Sequence, residues 1–414
     1  MVVLDKNTGT LELTSIRNDF PILSQKIGKH PLIYFDNGAT TQKPLSVIQS
    51  IEEYYKTYNA NIHRGAHFLA DKGTTAFEGS REKVRHFINA ESKEQIIFTK
   101  GTTESINIVA AGLAKSYLKT GDEILITGME HHANIVPWQM ACETSGAVLK
   151  VIPVLENGEL DLEAAEKLLT EKTKVFAFVY VSNSLGTVNP AKELITKAQS
   201  FGAVTLLDCA QAVGHFNVDV QDLGADFITF SAHKMFGPTG IGILYGKRNR
   251  LEALPPFQGG GEMIKEVTFE KTTYNELPFK FEAGTPNIAD GIALGAAIDY
   301  IQTLDKQAIE AHESELLELA TDIIVSKPGL RIVGTAAHKV SVVSFVSDMA
   351  HPSDIGTLLD QYGIAVRTGH HCCQPLMRRF EIPGTVRISL SFYNTREELE
   401  AFSKHLDKVL GMLS

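Results

Sequence analysis

Several short stretches of this chain combine residue types that do chemistry. Ser231-Ala-His233-Lys234 follows the apolar run from Asp226 to Phe230 and precedes Gly237, Pro238, Gly240 and Gly242. A lysine placed just past a strand, beside apolar residues and a histidine, has its amine pKa lowered, as a Schiff-base lysine requires. A lysine in a turn is by default solvated surface, so the rest of the chain decides its role. Lys100-Gly101-Thr102-Thr103-Glu104 stands between a predicted strand and a predicted helix. Its glycine exposes backbone amides, and its hydroxyls sit where a helix N-terminus favours an anion. The spacing matches neither a Walker loop nor a dinucleotide fingerprint, and a plain capping turn stays open.

Leu206-Leu-Asp208-Cys-Ala-Gln211 puts a carboxylate at the end of an apolar strand. Burying it is costly unless a cation pairs with it, and a protonated pyridine nitrogen is such a cation. A helix-capping role for Asp208 is the alternative. His131, in Met129-Glu-His-His-Ala-Asn, can stack on a flat heterocycle or simply hydrogen-bond within a loop. Asn183 ends another strand and could line the same crevice. An amine, a carboxylate, an anion-binding turn and a stacking imidazole together form the part list for pyridoxal phosphate held as a Schiff base. Farther along, Arg367-Thr-Gly-His-His-Cys372-Cys373-Gln-Pro offers a thiol with cations nearby to stabilise its thiolate. Four consecutive His and Cys residues cannot all point at one tetrahedral ion, so no metal site is expected. Arg387 is on a predicted strand, and its planar guanidinium suits a two-pronged grip on a substrate carboxylate.

The elements that must position these residues alternate strand and helix. Ile96-Ile-Phe-Thr, Glu123 to Thr127, Val148 to Val154, Val175 to Val181, Val204 to Asp208 and Asp226 to Phe230 read as strands separated by helical periodicity. That pattern predicts an α/β fold, a mostly parallel central sheet with helices on both faces. Ligands of such sheets bind beyond the carboxyl ends of the strands. The large domain is placed at residues 25–295, and a smaller α+β domain at 1–24 and 296–414 carries the cysteine loop. Residues 255–287, with Pro255-Pro, Gly259-Gly-Gly, Pro278 and Gly284-Thr-Pro, interrupt the pattern and suggest a functional or intersubunit excursion.

Composition narrows the setting. The chain is 43% apolar and 21% charged, and its net charge of −10 argues against nucleic acid as a main partner. The longest apolar run, Val175 to Val181, is too short to span a membrane. Met1-Val-Val-Leu-Asp-Lys-Asn lacks the basic start and apolar stretch of a secretory signal. Cys142, Cys209, Cys372 and Cys373 are too few to staple a chain this long, which favours a cytoplasmic setting. Cys142 and Cys209 read as small buried hydrophobes.

The sequence closely resembles the SufS-type (group II) cysteine desulfurases, fold-type I pyridoxal phosphate enzymes of the class V aminotransferase family. The resemblance is carried by Tyr34-Phe-Asp-Asn-Gly-Ala-Thr-Thr, His63-Arg-Gly-Ala-His, Thr99-Lys-Gly-Thr-Thr-Glu, Met129-Glu-His-His-Ala-Asn-Ile-Val-Pro-Trp-Gln, Ser231-Ala-His-Lys, Gly284-Thr-Pro-Asn and Arg367-Thr-Gly-His-His-Cys, nearly end to end. It implies that Lys234 forms the covalent link to the cofactor and later shuttles protons. It further implies that Asp208 pairs with the ring nitrogen, Gln211 contacts the ring hydroxyl oxygen and His131 stacks. Thr102, Thr103, Ser231 and His233 would hold the phosphate, joined by Thr285 from the other subunit of a homodimer. Asn183 and Arg387, with Arg367 nearby, would bind the carboxylate of L-cysteine. Cys372 would take the sulfur as a persulfide, alanine would leave, and the sulfur would serve iron-sulfur cluster assembly. The family usually carries a small residue such as Ala where Cys373 stands. Either Cys373 is a near-isosteric replacement, or it accepts sulfur from, or oxidises with, Cys372. His351-Pro-Ser-Asp favours a SufE-like over a SufU-like sulfur acceptor. A selenocysteine lyase, and a non-catalytic scaffold of the same fold, are the alternative readings.

Overall fold

The computed structural model describes residues 12–413, so the start of the chain, read above for a targeting signal, lies outside the described residues. The centre of the molecule is a seven-stranded sheet. In chain order its strands are β1 (Ile96–Thr99), β2 (Glu123–Thr127), β3 (Val148–Ile152), β4 (Thr173–Val179), β5 (Val204–Asp208), β6 (Phe227–Ser231) and β7 (Gly242–Gly246). They lie side by side as β1-β7-β6-β5-β4-β2-β3. Pairings from β6 through to β3 are parallel, whereas β7 runs antiparallel to both β6 and β1. Two antiparallel steps restore direction, so β1 ends at the same edge as β5 and β6. That edge gathers the ends Thr99, Thr127, Val179, Asp208 and Ser231.

The alternation of side chains across a strand explains why this sheet is covered twice. Phe176 and Phe178 of β4, with Leu207 and Ile228, belong to one apolar cluster, while Val175, Ala177, Leu206 and Phe227 belong to another. Every residue of β5, β6 and β7 is buried. The sixth strand starts one residue later than its apolar run suggests. Asp226 is instead a buried anchor whose Oδ2 accepts from Thr205 N at 2.9 Å and whose Oδ1 accepts from Arg250 Nε at 3.1 Å.

A second, antiparallel sheet has β8 (Leu330–Val333), β9 (Val342–Ser347), β10 (Arg367–Gly369) and β11 (Thr385–Ser389) in the order β8-β9-β11-β10. The helices Lys306–Val325 and Arg396–Leu413 contribute Leu316, Ala320, Leu399, Phe402 and Leu406 to the apolar cluster on this sheet. Two packing features stand near the boundaries expected at 25 and 295. Ile33–Tyr34 pairs in parallel with Ile364–Ala365, and Phe35 is buried in the small sheet's cluster. At the other boundary, the helix Ile288–Gln302 runs unbroken through residue 295. Within residues 255–287, Ile264–Val267 and Thr272–Tyr274 form an exposed hairpin with Phe269 fully exposed at its tip, while Leu277 and Phe281 are buried in one of the apolar clusters against the large sheet. No helix among the described residues is long and apolar enough to cross a membrane.

Candidate active site

Beyond the shared strand edge lies a cavity of about 190 Å³. Thr102, Thr103, His131, Asn183, Asp208, Gln211, Ser231, His233, Lys234, Arg367, Cys372 and Arg387 all line it. These residues come from across the chain, and the topology brings them to one place. Thr285 is the exception among the expected residues. It is exposed and outside this cavity.

Asp208 ends β5 with its side chain buried. Ala210 N donates to its Oδ1 at 2.9 Å, and its other oxygen has no hydrogen-bond partner among the described residues. Burial pushes the Asp208 carboxyl above its usual range, against the pull of Ala210 N and Lys234. Lys234 follows β6 in a single tight turn, Ala232–Lys234. Burial lowers its amine pKa, Asp208 opposes the shift, and the amine makes no hydrogen bond or ion pair among the described residues. A cation-seeking carboxylate and an uncommitted amine thus face one space.

The anion turn is held by Ser231. Its Oγ accepts from Thr102 N at 2.8 Å and is 2.9 Å from Thr102 Oγ1, at the start of the helix Thr102–Ser116. Gly242 makes this contact possible. It pairs with both Thr99 and Ser231, and a Cβ there would lie 2.4 Å from Gly101 Cα. His131 Nδ1 accepts from Ala133 N at 3.0 Å, and burial, followed by the charge of Lys234, drives its pKa down to about 3. A neutral ring is what stacking on a cationic heterocycle needs.

The thiol arrives on a loop of the small sheet. His371 and Cys372 both adopt left-handed backbone, with φ of 50° and 56°, a conformation costing about 1–2 kcal/mol per residue. Side-chain and backbone contacts offset that cost. His132 N donates to Cys372 O at 2.7 Å, and Gln374 N donates to His132 Nε2 at 3.0 Å. Asn183 Nδ2 donates to His371 O at 2.7 Å, and Cys373 Sγ donates to Asn183 Oδ1 at 3.0 Å. Cys372 is half-buried on the cavity wall, whereas Cys373 is fully buried, its thiol pushed up to about 12 mainly by that burial. Cys209 is buried as expected, while Cys142 is only half-buried.

Some expected binding groups are already engaged. The Asn183 amide is committed to the thiol loop, and Gln211 Nε2 donates to Gly38 O at 2.7 Å. Arg387 Nη1 donates to Asn183 O at 2.7 Å and Nη2 to Asp36 Oδ1 at 2.8 Å, while its buried Nε has no partner among the described residues. Arg367 is 42% exposed, near the cavity mouth. Sequence reasoning did not single out Asp36, His132, Glu130 or His371. Asp36 stood in the sequence only as part of the stretch Tyr34-Phe-Asp-Asn-Gly-Ala-Thr-Thr, although its position just past the apolar Ile33-Tyr-Phe was a usable signal.

Residues 33–402 match the aminotransferase class-V family, and the chain belongs to that family. It is 52% identical over 96% of its length to the cysteine desulfurase of Synechococcus elongatus, spanning 64% of that relative's length. It is 48% identical over 95% of its length to a probable cysteine desulfurase of Halalkalibacterium halodurans, covering 97% of that protein. Its fold is similar to the apo cysteine desulfurase of Thermococcus onnurineus, with TM-score 0.92 and 39% identity, over 97% of this chain and 98% of that one. Pyridoxal phosphate fits the residues present. The unpaired Asp208 oxygen suits a pyridinium nitrogen, the free Lys234 amine suits an aldehyde carbon, and the Thr102–Ser231 turn suits a phosphate.

Proposed function

We propose that this protein is a pyridoxal phosphate-dependent cysteine desulfurase that converts L-cysteine to L-alanine and keeps the sulfur as a persulfide on Cys372. The observation that carries the reading is that the Cys372 loop and the Lys234 amine line one cavity. The cofactor, when bound, supplies an electron sink that makes the substrate Cα acidic. Thr102, Thr103, Ser231 and His233 would hold its phosphate, Asp208 would pair with its ring nitrogen, Gln211 would contact its ring oxygen, and His131 would stack on its ring. Lys234, with its basicity lowered by burial, is the group that takes and returns the Cα proton. Arg387 and Arg367 hold the substrate carboxylate, with Asn183 fixing the wall between them and the thiol loop. Cys372 Sγ, as thiolate, then attacks the substrate sulfur: an S–S bond forms as the C–S bond breaks, the C–S electron pair stays with the carbon skeleton, and Cβ takes up a proton so that the skeleton leaves as alanine.

Thr285 completes the phosphate site of a second copy in a homodimer, a reading supported by its exposure and by the exposed hairpin just before it. The sulfur passes to a SufE-like acceptor for iron-sulfur cluster assembly in the cytoplasm. The test is mass spectrometry of protein quenched during turnover with L-cysteine. One added sulfur on the peptide holding Cys372, absent in Cys372→Ala, is expected together with alanine release. Alanine formed at an undiminished rate by Cys372→Ala with an acceptor present would remove the thiol from the mechanism.

A further inference from the structure

Arg367 and Arg387 face each other directly across neighbouring antiparallel strands. Like charges in such a cross-strand pair repel, and both residues line the cavity. Asp36 is the group that bridges them. Its Oδ1 accepts from Arg387 Nη2 at 2.8 Å, and its Oδ2 lies 3.7 Å from Arg367 Nη1. Its backbone is fixed to the same sheet by a parallel bridge to Ser389, two residues past Arg387, and Asn37 Nδ2 donates to Ser389 O at 2.8 Å. The following turn is shaped to the guanidinium, because a Cβ on Gly38 would lie 3.1 Å from Arg387 Cζ. The Arg387 half of the bridge is therefore built into the fold beside the cavity, and the Arg367 half reaches a partly exposed side chain.

We propose that Asp36 is a positioning residue that acts as a resident counter-anion for the arginine pair. It holds both guanidinium groups in place before substrate arrives and lowers the trio's charge from two positive units to one. A small free anion, attracted by charge alone, then gains little by entering. A carboxylate that is also tethered at the reacting centre still finds the part of Arg387 that lines the cavity and the outer edge of Arg367. This rests on the reading that the arginines grip the substrate carboxylate.

The test uses the cofactor-loaded enzyme at constant ionic strength, with acetate as the probe. Asp36→Asn keeps the shape and an acceptor oxygen but removes the charge. It should bind acetate about tenfold more tightly. That gain is read both as competitive inhibition against L-cysteine and as a larger acetate-induced rise in Tm. Its kcat should fall roughly tenfold without a rise in KM, since orientation is lost while attraction is kept. An acetate response and kcat equal to those of the unaltered enzyme would overturn the proposal. Should Asp36→Asn not fold, Asp36→Glu carries the test. It keeps the charge and should keep the weak acetate response, so tighter acetate binding there would equally overturn it. Arg387→Ala separates the two levels. If it leaves the cysteine KM unchanged, the carboxylate reading itself fails. If it raises KM while Asp36→Asn behaves like the unaltered enzyme, only the counter-anion role fails.

Discussion

On the sheet side of the cavity, Asp208, Ser231 and Lys234 sit on or one turn beyond fully buried strands. On the opposite side, His371 and Cys372 hang from a loop with left-handed backbone, held by His132 and Asn183. The first group is fixed by a backbone ladder and two apolar clusters, so side-chain changes there alter chemistry with little movement. The second group depends on a handful of hydrogen bonds, each contributing only about 0.5–1.5 kcal/mol. On the proposed function, the first group would hold a cofactor rigidly, whereas the second would carry sulfur from substrate to an acceptor. The division of construction matches that division of labour.

The largest effects should come from the rigid side. Lys234→Ala should lower kcat by about a thousandfold or more, since it removes both the covalent anchor and the proton carrier. Loss of the visible cofactor band in its usual form is the accompanying signature. Asp208→Asn should cost roughly 100- to 1000-fold in kcat, because a neutral amide does not stabilise a ring cation. Its cofactor should stay bound through the Thr102–Ser231 turn. If the Asn variant turned over at the original rate, Asp208 would be a structural cap only.

The loop side should respond more mildly. His132→Ala removes the acceptor for Gln374 N but leaves the backbone bond to Cys372 O. A roughly tenfold drop in kcat, about 1.4 kcal/mol, with an unchanged cofactor spectrum is expected. His132→Gln, which keeps an acceptor oxygen, should recover part of the loss. Equal activity in the Ala variant would show that the ring does not hold the loop.

Between the two sides lies Glu130, buried and accepting from Asn134 Nδ2 at 2.6 Å and Val179 N at 3.0 Å, with Thr127 Oγ1 also in contact. Burial outweighs these donors and pushes its carboxyl up to about 8. Between pH 4.5 and 8 the folded protein therefore keeps a proton that the unfolded chain has released. Stability contributed by this group is present below the unfolded pKa and declines as pH rises, by up to about 1.4 kcal/mol per pH unit, levelling off above the folded value. Denaturant unfolding across that window should show the slope, and Glu130→Gln should flatten it. An identical pH dependence in both proteins would place the proton elsewhere.

The same contrast explains what the sequence revealed. Alternating apolar runs announced the sheet, and residues at strand ends such as Asp208 and Lys234 were legible because topology fixes where a strand end points. Asp36 and His132 were not, since their roles depend on elements far apart in the chain: Asp36 meets Arg387, and His132 meets Gln374. The antiparallel course of β7 was equally hidden, because an apolar run carries no direction. The short helix Gln374–Arg379 behind the thiol loop was missed because it is only six residues long, too few for helical periodicity to register.

The smallest effect expected is at Cys373, and it tests how far the two neighbouring thiols differ. Cys373 Sγ is fully buried and bonded to Asn183 Oδ1, while Cys372 is on the cavity wall. A thiol pushed up to about 12 carries almost no thiolate near neutral pH, so it is a poor acceptor for sulfur and a poor partner for a disulfide. Cys373→Ala should leave Asn183 Oδ1 without that donor, while Asn183 Nδ2 keeps its bond to His371 O, and change kcat by about threefold at most, within the worth of one weak hydrogen bond. In the unaltered protein, persulfide should be confined to Cys372. Sulfur on Cys373, or a Cys372–Cys373 disulfide formed during turnover, would require the loop to leave the buried arrangement, and the contrast between a fixed sheet side and a lightly held loop would then extend to the loop's own core.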